Sequence, residues 1–209
     1  VHQKAPPKGQ IGIFNRSHYE DVLITRVHGW VSDKVAKRRF NQIKEFEELL
    51  AENGTAILKF FLHISKDEQK ARLEARIHDP EKRWKWNSGD LEERKLWGEY
   101  MTAFEEVIAA TSTEQAPWYI VPANRKWYRN LVVAELVVQA LTAMKLSMIG
   151  SVANWAIQLF LLRTSQRRSP TGALSARVMF GISTASAAHI PIFAHIVISQ
   201  QEAEGCGGT

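Results

Sequence analysis

Apolar residues recur with two different periods over the first 145 positions. Short continuous runs at 11–14, 56–64 and 118–121 predict strands covered on both faces. Between them the spacing turns helical. Residues 19–28 fit a helix or helical turn. Ser32 is placed to cap a helix carrying Val35, Phe40, Ile43, Phe46, Leu49 and Leu50, which ends before Gly54. Ser65 is placed to cap a charged helix through His78, stopped by Asp79-Pro80. A long helix is expected over 90–110 and a last one over 124–146, begun by an Asn124 cap.

Helices of this length between strands require right-handed crossovers, so the fold class is α/β with a largely parallel sheet and helices on both faces. Ligands gather at the carboxyl ends of strands in such sheets. That rule selects residues 15–21, those from Ser65 onward, and 122–129, each polar and basic directly after an apolar run. A solvated loop has the same look.

Charge divides the chain in two. The net charge of +5 comes from 27 basic and 22 acidic residues, yet no Asp or Glu lies between Glu135 and Glu202, and Lys145 is the last lysine. Residues 147–162 are sixteen positions without a charge and 180–199 are twenty more, with Arg163, Arg167, Arg168 and Arg177 between them. A soluble surface normally mixes both signs. The expected division is therefore a domain over 1–145 and an atypical tail over 146–209. Shifted-frame or chimeric sequence fits the tail's composition. A packing tail and a membrane hairpin are the alternatives, although His189, Pro191 and His195 interrupt the second stretch. The lone Cys206 excludes a disulfide scaffold and fits a reducing compartment, so a cytoplasmic location is expected. A start at Val1 with no basic-then-apolar leader suggests a fragment or processed piece without a secretory signal.

Three clusters carry candidate chemistry. In the first, Asn15 closes an apolar strand and Arg16 follows at once, a pair able to orient a phosphate or metal-bound water and to clamp an anionic oxygen. A turn with Arg16 paired to Glu20 or Asp21 uses the same residues. In the second, Arg72 and Arg76 share a helix face, and Lys82, Arg83 and Lys85 interleave with Trp84 and Trp86. Nine basic and eight acidic residues over 66–95 give local basic density on a two-helix flap suited to a linear polyanion. An ordinary ion-paired helix face accounts for Glu68, Glu74, Glu92 and Glu93, and nucleic acid is a competing polyanion for the tryptophans. In the third, Lys126 and Arg129 open a helix beside Trp127 and Leu131. The seven histidines form no metal-binding pair in the globular part, and Ser17 lacks a nucleophile-elbow surround.

GQIGIFNRSHYEDVL, ILKFFLHISKDEQKARLEARIHDPEKRWKW and TSTEQAPWYIVPANRKWYRN, in that order, closely resemble the family-2 polyphosphate kinases over residues 1 to about 145. The resemblance implies a P-loop kinase-like three-layer α/β/α sandwich with a mostly parallel sheet and a helical lid over about 66–98. It implies Mg²⁺-dependent phosphoryl transfer between inorganic polyphosphate and ADP or AMP, with ATP on the other side of the equilibrium. Asn15, Arg16 and Ser17 fall on the family's Walker B-like segment, often Asp-Arg-Ser in relatives. The Asn form followed by His18, Tyr19, Glu20 and Asp21 resembles the subgroup that accepts AMP as well as ADP.

Asn15 and Arg16 are thus the implied catalytic residues, with Asn15 an indirect metal contact because an amide lacks the carboxylate charge. Ser17, Tyr19, Glu20, Lys126 and Arg129 are implied for nucleotide or phosphate. Arg72, Arg76, Lys82, Arg83 and Lys85 fall on the lid that grips polyphosphate. No nucleic-acid partner is expected, and a homo-oligomer is allowed. Relatives place a glycine-rich phosphate loop and a first strand before the segment that begins here, and no G-x-x-x-x-G-K occurs in these 209 residues. The fragment alone is therefore expected to be nearly inactive. The alternatives are a non-catalytic polyphosphate or nucleic-acid binding module and a membrane-associated protein defined by its tail.

Overall fold

The structure is a computed structural model that describes residues 2–144, 179–182 and 192–199. Strands β1 (Ile11–Asn15), β2 (Thr55–His63) and β3 (Trp118–Pro122) form where the apolar runs lie. Helices α1 (Ile24–Val27) and α2 (Asp33–Glu52) fill the first crossover. The second holds α3 (Lys66–His78), α4 (Gly89–Lys95) and α5 (Trp97–Thr111), and α6 (Lys126–Ala143) follows β3. Ser32 and Ser65 cap α2 and α3, accepting from the amides of Val35 at 3.4 Å and Glu68 at 3.2 Å.

The sheet runs β3-β2-β5-β1-β4, with β4 (Met179–Ile182) and β5 (Ile192–Ser199) supplied by the tail. β1 pairs in parallel with β4, and β2 with β3. β5 lies antiparallel between β1 and β2, in register from Ile11 opposite Ile198 to Asn15 opposite Ala194. The expected largely parallel sheet is thus mixed. β1 and β2 run the same way one strand apart, and the position between them is filled from the tail, where Ile196, Val197 and Ile198 are buried.

Side-chain alternation along β2 divides the core. Phe61 faces α2 and α5, packing with Tyr19, Phe40, Ile43, Phe104, Val107 and Trp118. Leu58 and Phe60 face α6, packing with Val121, Leu141, Ile196 and Ile198. Helices therefore cover both faces, which makes the three layers.

Four local expectations change. The 19–28 segment splits into a 3₁₀ turn, His18–Val22, and the short α1. The 90–110 helix breaks at Leu96, whose amide bonds back to Glu93 at 3.1 Å, with Gly98, a weak helix former, two residues on. Asn124 does not cap α6. Its side chain accepts from the Ser65 amide at 2.9 Å, and Arg125 stands at the cap position without a side-chain bond. Leu49 is exposed, because α2 turns it away from the sheet. The tail expectation concerns mostly 145–178, 183–191 and 200–209, outside the described residues. The described parts of its second uncharged stretch are strands, and no helix among the described residues is long and apolar enough to cross a membrane.

Candidate anion site at the strand ends

β1 ends on exposed Asn15, and the chain then turns sharply: Arg16 has φ 68°, in the left-handed region that residues other than glycine rarely enter. Ser17 is extended and caps the 3₁₀ turn by accepting from the Tyr19 amide at 3.5 Å. Arg16 reaches Glu20 at 3.8 Å. Burial pushes the Glu20 carboxyl up from its ordinary value, and the Arg16 charge opposes that shift. The Arg16 charge also bears on Asp90 and Tyr100, in each case opposing the upward push of burial.

The ends of β2 and β3 are tied together. Besides the Ser65–Asn124 bond, the Ala123 amide donates to His63 O at 2.7 Å. Arg72 straps α3 onto this junction, donating to Ala123 O at 2.8 Å, Asn124 O at 3.1 Å and Glu68 at 2.7 Å. Arg129 comes close enough that burial, reinforced by the Arg72 charge, pushes its guanidinium down from its ordinary value. Its side-chain partner is the neutral Asn130 Oδ1, at 2.7 and 3.0 Å. Lys126 stands exposed at the start of α6, whose first amides have no side-chain cap. Of these two half-buried guanidiniums, Arg72 is paired with the Glu68 carboxylate and Arg129 with a neutral amide oxygen, which suits Arg129 to a phosphate oxygen.

The lid residues divide. Arg76 is buried and donates to Asp90 at 3.0 Å and Lys85 O at 3.2 Å. Arg94 donates to Lys66 O at 2.7 Å and Gln69 at 2.5 Å, closing α4 onto α3. Glu93 is held by His28 at 3.0 Å and by the Tyr100 hydroxyl at 2.8 Å. Lys82 pairs with Asp79 on the surface. Arg83 and Lys85 are exposed, with Lys85 4.9 Å over the ring of Trp84. The structure therefore brings Arg72 and Arg129 near one another, with Lys126 a turn before Arg129 on α6, and sets Asn15, Arg16, Ser17 and Glu20 at the end of β1, with β5 between it and β2. Arg76 is turned inward. Tyr19 is fully buried, its hydroxyl donating to Glu47 at 2.9 Å.

Sequence reasoning passed over Asp90 and the buried pair of Lys59 with Glu47, and it read Glu93 as part of an ion-paired helix face, whereas His28 and Tyr100 hold it. Lys59 carried a signal, as a cation in the middle of an apolar strand run. Asp90 carried none, because an acid early in a helix is ordinary there.

The profile of the family described as Polyphosphate kinase 2 (PPK2) matches residues 1–148. An AMP/ADP-polyphosphate phosphotransferase of Meiothermus ruber is 57% identical over 141 residues, 68% of this chain and 53% of the relative. An ADP-polyphosphate phosphotransferase of Rhodopseudomonas palustris is 44% identical over 154 residues, with the same shares. The crystal structure of Polyphosphate Kinase 2 from Arthrobacter aurescens TC1 aligns with a TM-score of 0.61 and 53% identity, over 62% of this chain and 46% of that one. The chain spans about half the length of these relatives. The matched profile covers the same strand ends, the same lid and the same basic loop that the geometry singles out, and the chain belongs to the polyphosphate kinase 2 family.

Proposed function

We propose that this chain holds inorganic polyphosphate beside a nucleoside mono- or diphosphate, ADP or AMP, for phosphoryl transfer between them in the cytoplasm. The half-buried Arg72 and Arg129 at the ends of β2 and β3 carry the reading: Arg72 is paired with Glu68, whereas the side-chain acceptor of Arg129 is the neutral Asn130 Oδ1 and the Arg72 charge bears on it. Phosphoryl transfer needs alignment and charge neutralisation more than covalent help. Two polyanions repel strongly at close range, and fixed cations offset that repulsion. In this reading Arg72, Arg129 and Lys126 hold one phosphate group. Arg16 clamps the migrating one beside Asn15, Ser17 and Glu20, and Lys82, Arg83 and Lys85 draw in the polymer. Tyr19 and Arg76 act from inside the fold, because their polar atoms are engaged there.

Magnesium is implied by the family resemblance. No group of three His, Cys, Asp or Glu among the described residues is arranged to hold a metal ion, and Asn15 offers a neutral amide. These residues do not build a magnesium site, so the ion belongs in this reading with the substrates' phosphates, and no step is assigned to it.

Titration calorimetry with long-chain polyphosphate in magnesium buffer tests the proposal. Saturable heat that weakens in Arg129→Ala supports it, and absence of heat overturns it. The second reading is a module that binds polyphosphate or nucleic acid without catalysis. A coupled assay on the protein from its full reading frame separates the two: ATP formed from ADP and polyphosphate shows catalysis, and binding without turnover supports the module.

A further inference from the structure

A buried ionic group lies outside the anion site. Lys59, on the β2 face toward α2 and α5, is fully buried and donates to Glu47 at 2.6 Å, Thr111 O at 2.8 Å and the Tyr19 hydroxyl at 3.1 Å. Its ammonium also sits 5.2 Å from the Trp118 ring centroid and 5.5 Å from that of Tyr19. Tyr19 donates in turn to the other oxygen of Glu47 at 2.9 Å. His18 Nε2 lies 3.8 Å from that same oxygen, and its ring packs 4.8 Å from Tyr19 and edge-on to Phe46 at 6.0 Å. Desolvation pushes the Glu47 carboxyl up and the Lys59 ammonium down, each opposed by the other's charge. A buried pair of this kind is a weak source of net stability, since its desolvation offsets its attraction.

Its placement gives it another use. Glu47 belongs to α2 and Lys59 to β2, and both close on the two residues that follow Arg16-Ser17. Arg16 is held at φ 68°, a conformation that persists only where the surroundings over-determine it. Ser17 supplies the near side of that restraint, through a 3.5 Å bond to the Tyr19 amide. Glu47 and Lys59 supply the far side, through the Tyr19 hydroxyl. A cavity of about 20 Å³ lined in part by Ser17, His18, Phe46, Glu47, Ile57 and Val197 adjoins the group, so the turn has room to relax once released.

We infer that Glu47 and Lys59 are positioning residues, which act through Tyr19 to hold Arg16 at the end of β1 in the conformation that meets phosphate. This rests on the phosphate-binding reading for its purpose, and on the buried contacts alone for its geometry.

Two double variants isolate the effect. E47L/K59M and E47Q/K59M remove the same charges, but only the second keeps an acceptor for the Tyr19 hydroxyl. Both are compared with the native chain by urea unfolding, amide hydrogen exchange and calorimetric titration with long-chain polyphosphate. Expected for E47L/K59M are exchange at least about tenfold faster at Glu20 and Leu23, with α5 amides unchanged, and a polyphosphate Kd about tenfold weaker, as loss of one buried hydrogen bond gives. E47Q/K59M recovers most of both effects, which a purely structural contribution to stability does not predict.

Equal exchange at Glu20 and Leu23 in the two folded variants overturns the inference. If E47L/K59M does not fold, Tyr19→Phe, which loses only the hydroxyl, is read by the same exchange and titration, with the same outcomes deciding. A native chain that gives no heat with polyphosphate brings down the phosphate-binding reading, and the exchange measurement still decides whether the pair holds the turn.

Discussion

Lys59 and Arg129 are both cations withdrawn from water, and their surroundings follow opposite rules. Around Lys59 every neighbour answers the charge: Glu47 neutralises it, and Tyr19 and Thr111 accept its remaining protons. Around Arg129 the charge that bears on it is another cation, Arg72, and the acceptor is a neutral amide. The first cluster is complete within the fold, and removing a part of it leaves a desolvated remainder. The second leaves Arg129 with a neutral acceptor, and in the proposed reading an anion from outside finishes it. A buried charge is therefore informative about ligands only after its partners have been counted.

The contrast predicts opposite outcomes for the simplest truncations. Lys59→Ala strands Glu47 in the interior and should cost about 3–5 kcal/mol of stability, the scale for breaking a buried pair. Urea unfolding followed by tryptophan fluorescence reads this directly, and a midpoint near the native value would erase the distinction between the clusters. Arg129→Ala, by comparison, removes repulsion from Arg72. Its urea midpoint should stay at or slightly above the native one while the Kd for polyphosphate weakens about tenfold, as for loss of a charge-assisted contact.

Asp90 sharpens the comparison from the lid. It is buried against Arg76 at 3.0 Å, which makes it a member of the self-sufficient class. Asp90→Asn should lower stability by about 1–3 kcal/mol, with faster amide exchange in α3 and α4. A larger loss of polyphosphate affinity than of stability would move this pair to the other class.

Glu20 gives the smallest effect, one readable only against pH. Burial raises its carboxyl pKa above the ordinary 4.5, so the folded chain holds that proton more tightly than the unfolded one. Its contribution to stability therefore falls as pH rises from about 4.5 through the folded value and is level above it. Glu20→Gln should remove that part of the slope from a plot of urea midpoint against pH, and an unaltered slope would show that Arg16 cancels the burial.

Much of the fold was legible because it depends on local periodicity. The three parallel strands, the Ser32 and Ser65 caps and the stop at Asp79-Pro80 follow from side-chain spacing and backbone chemistry within a few residues. The break at Leu96 was not legible, since Glu93 is pinned there by His28, 65 positions earlier in the chain, and by Tyr100. Asn124 looked like a cap because Asn prefers that position. Its amide is taken instead by Ser65, 59 positions away.

The site shows the same division. Arg72, Lys126 and Arg129 could be chosen from composition, since basic residues after a buried strand point at the sheet's ligand-binding edge. That Arg76 turns inward, that Tyr19 is a strut, and that an antiparallel strand from the tail lies between β1 and β2 were beyond any local pattern.

The amino-acid order alone determined where strands and helices begin, which faces of them are apolar, and which cations lie near strand ends. Those properties come from interactions a few residues in reach. Tertiary structure alone decided which charges are cancelled within the fold and which meet a neutral partner or a like charge. That outcome depends on partners brought within about 3 Å of one another from far apart in the chain, where losing water makes an unmatched charge costly.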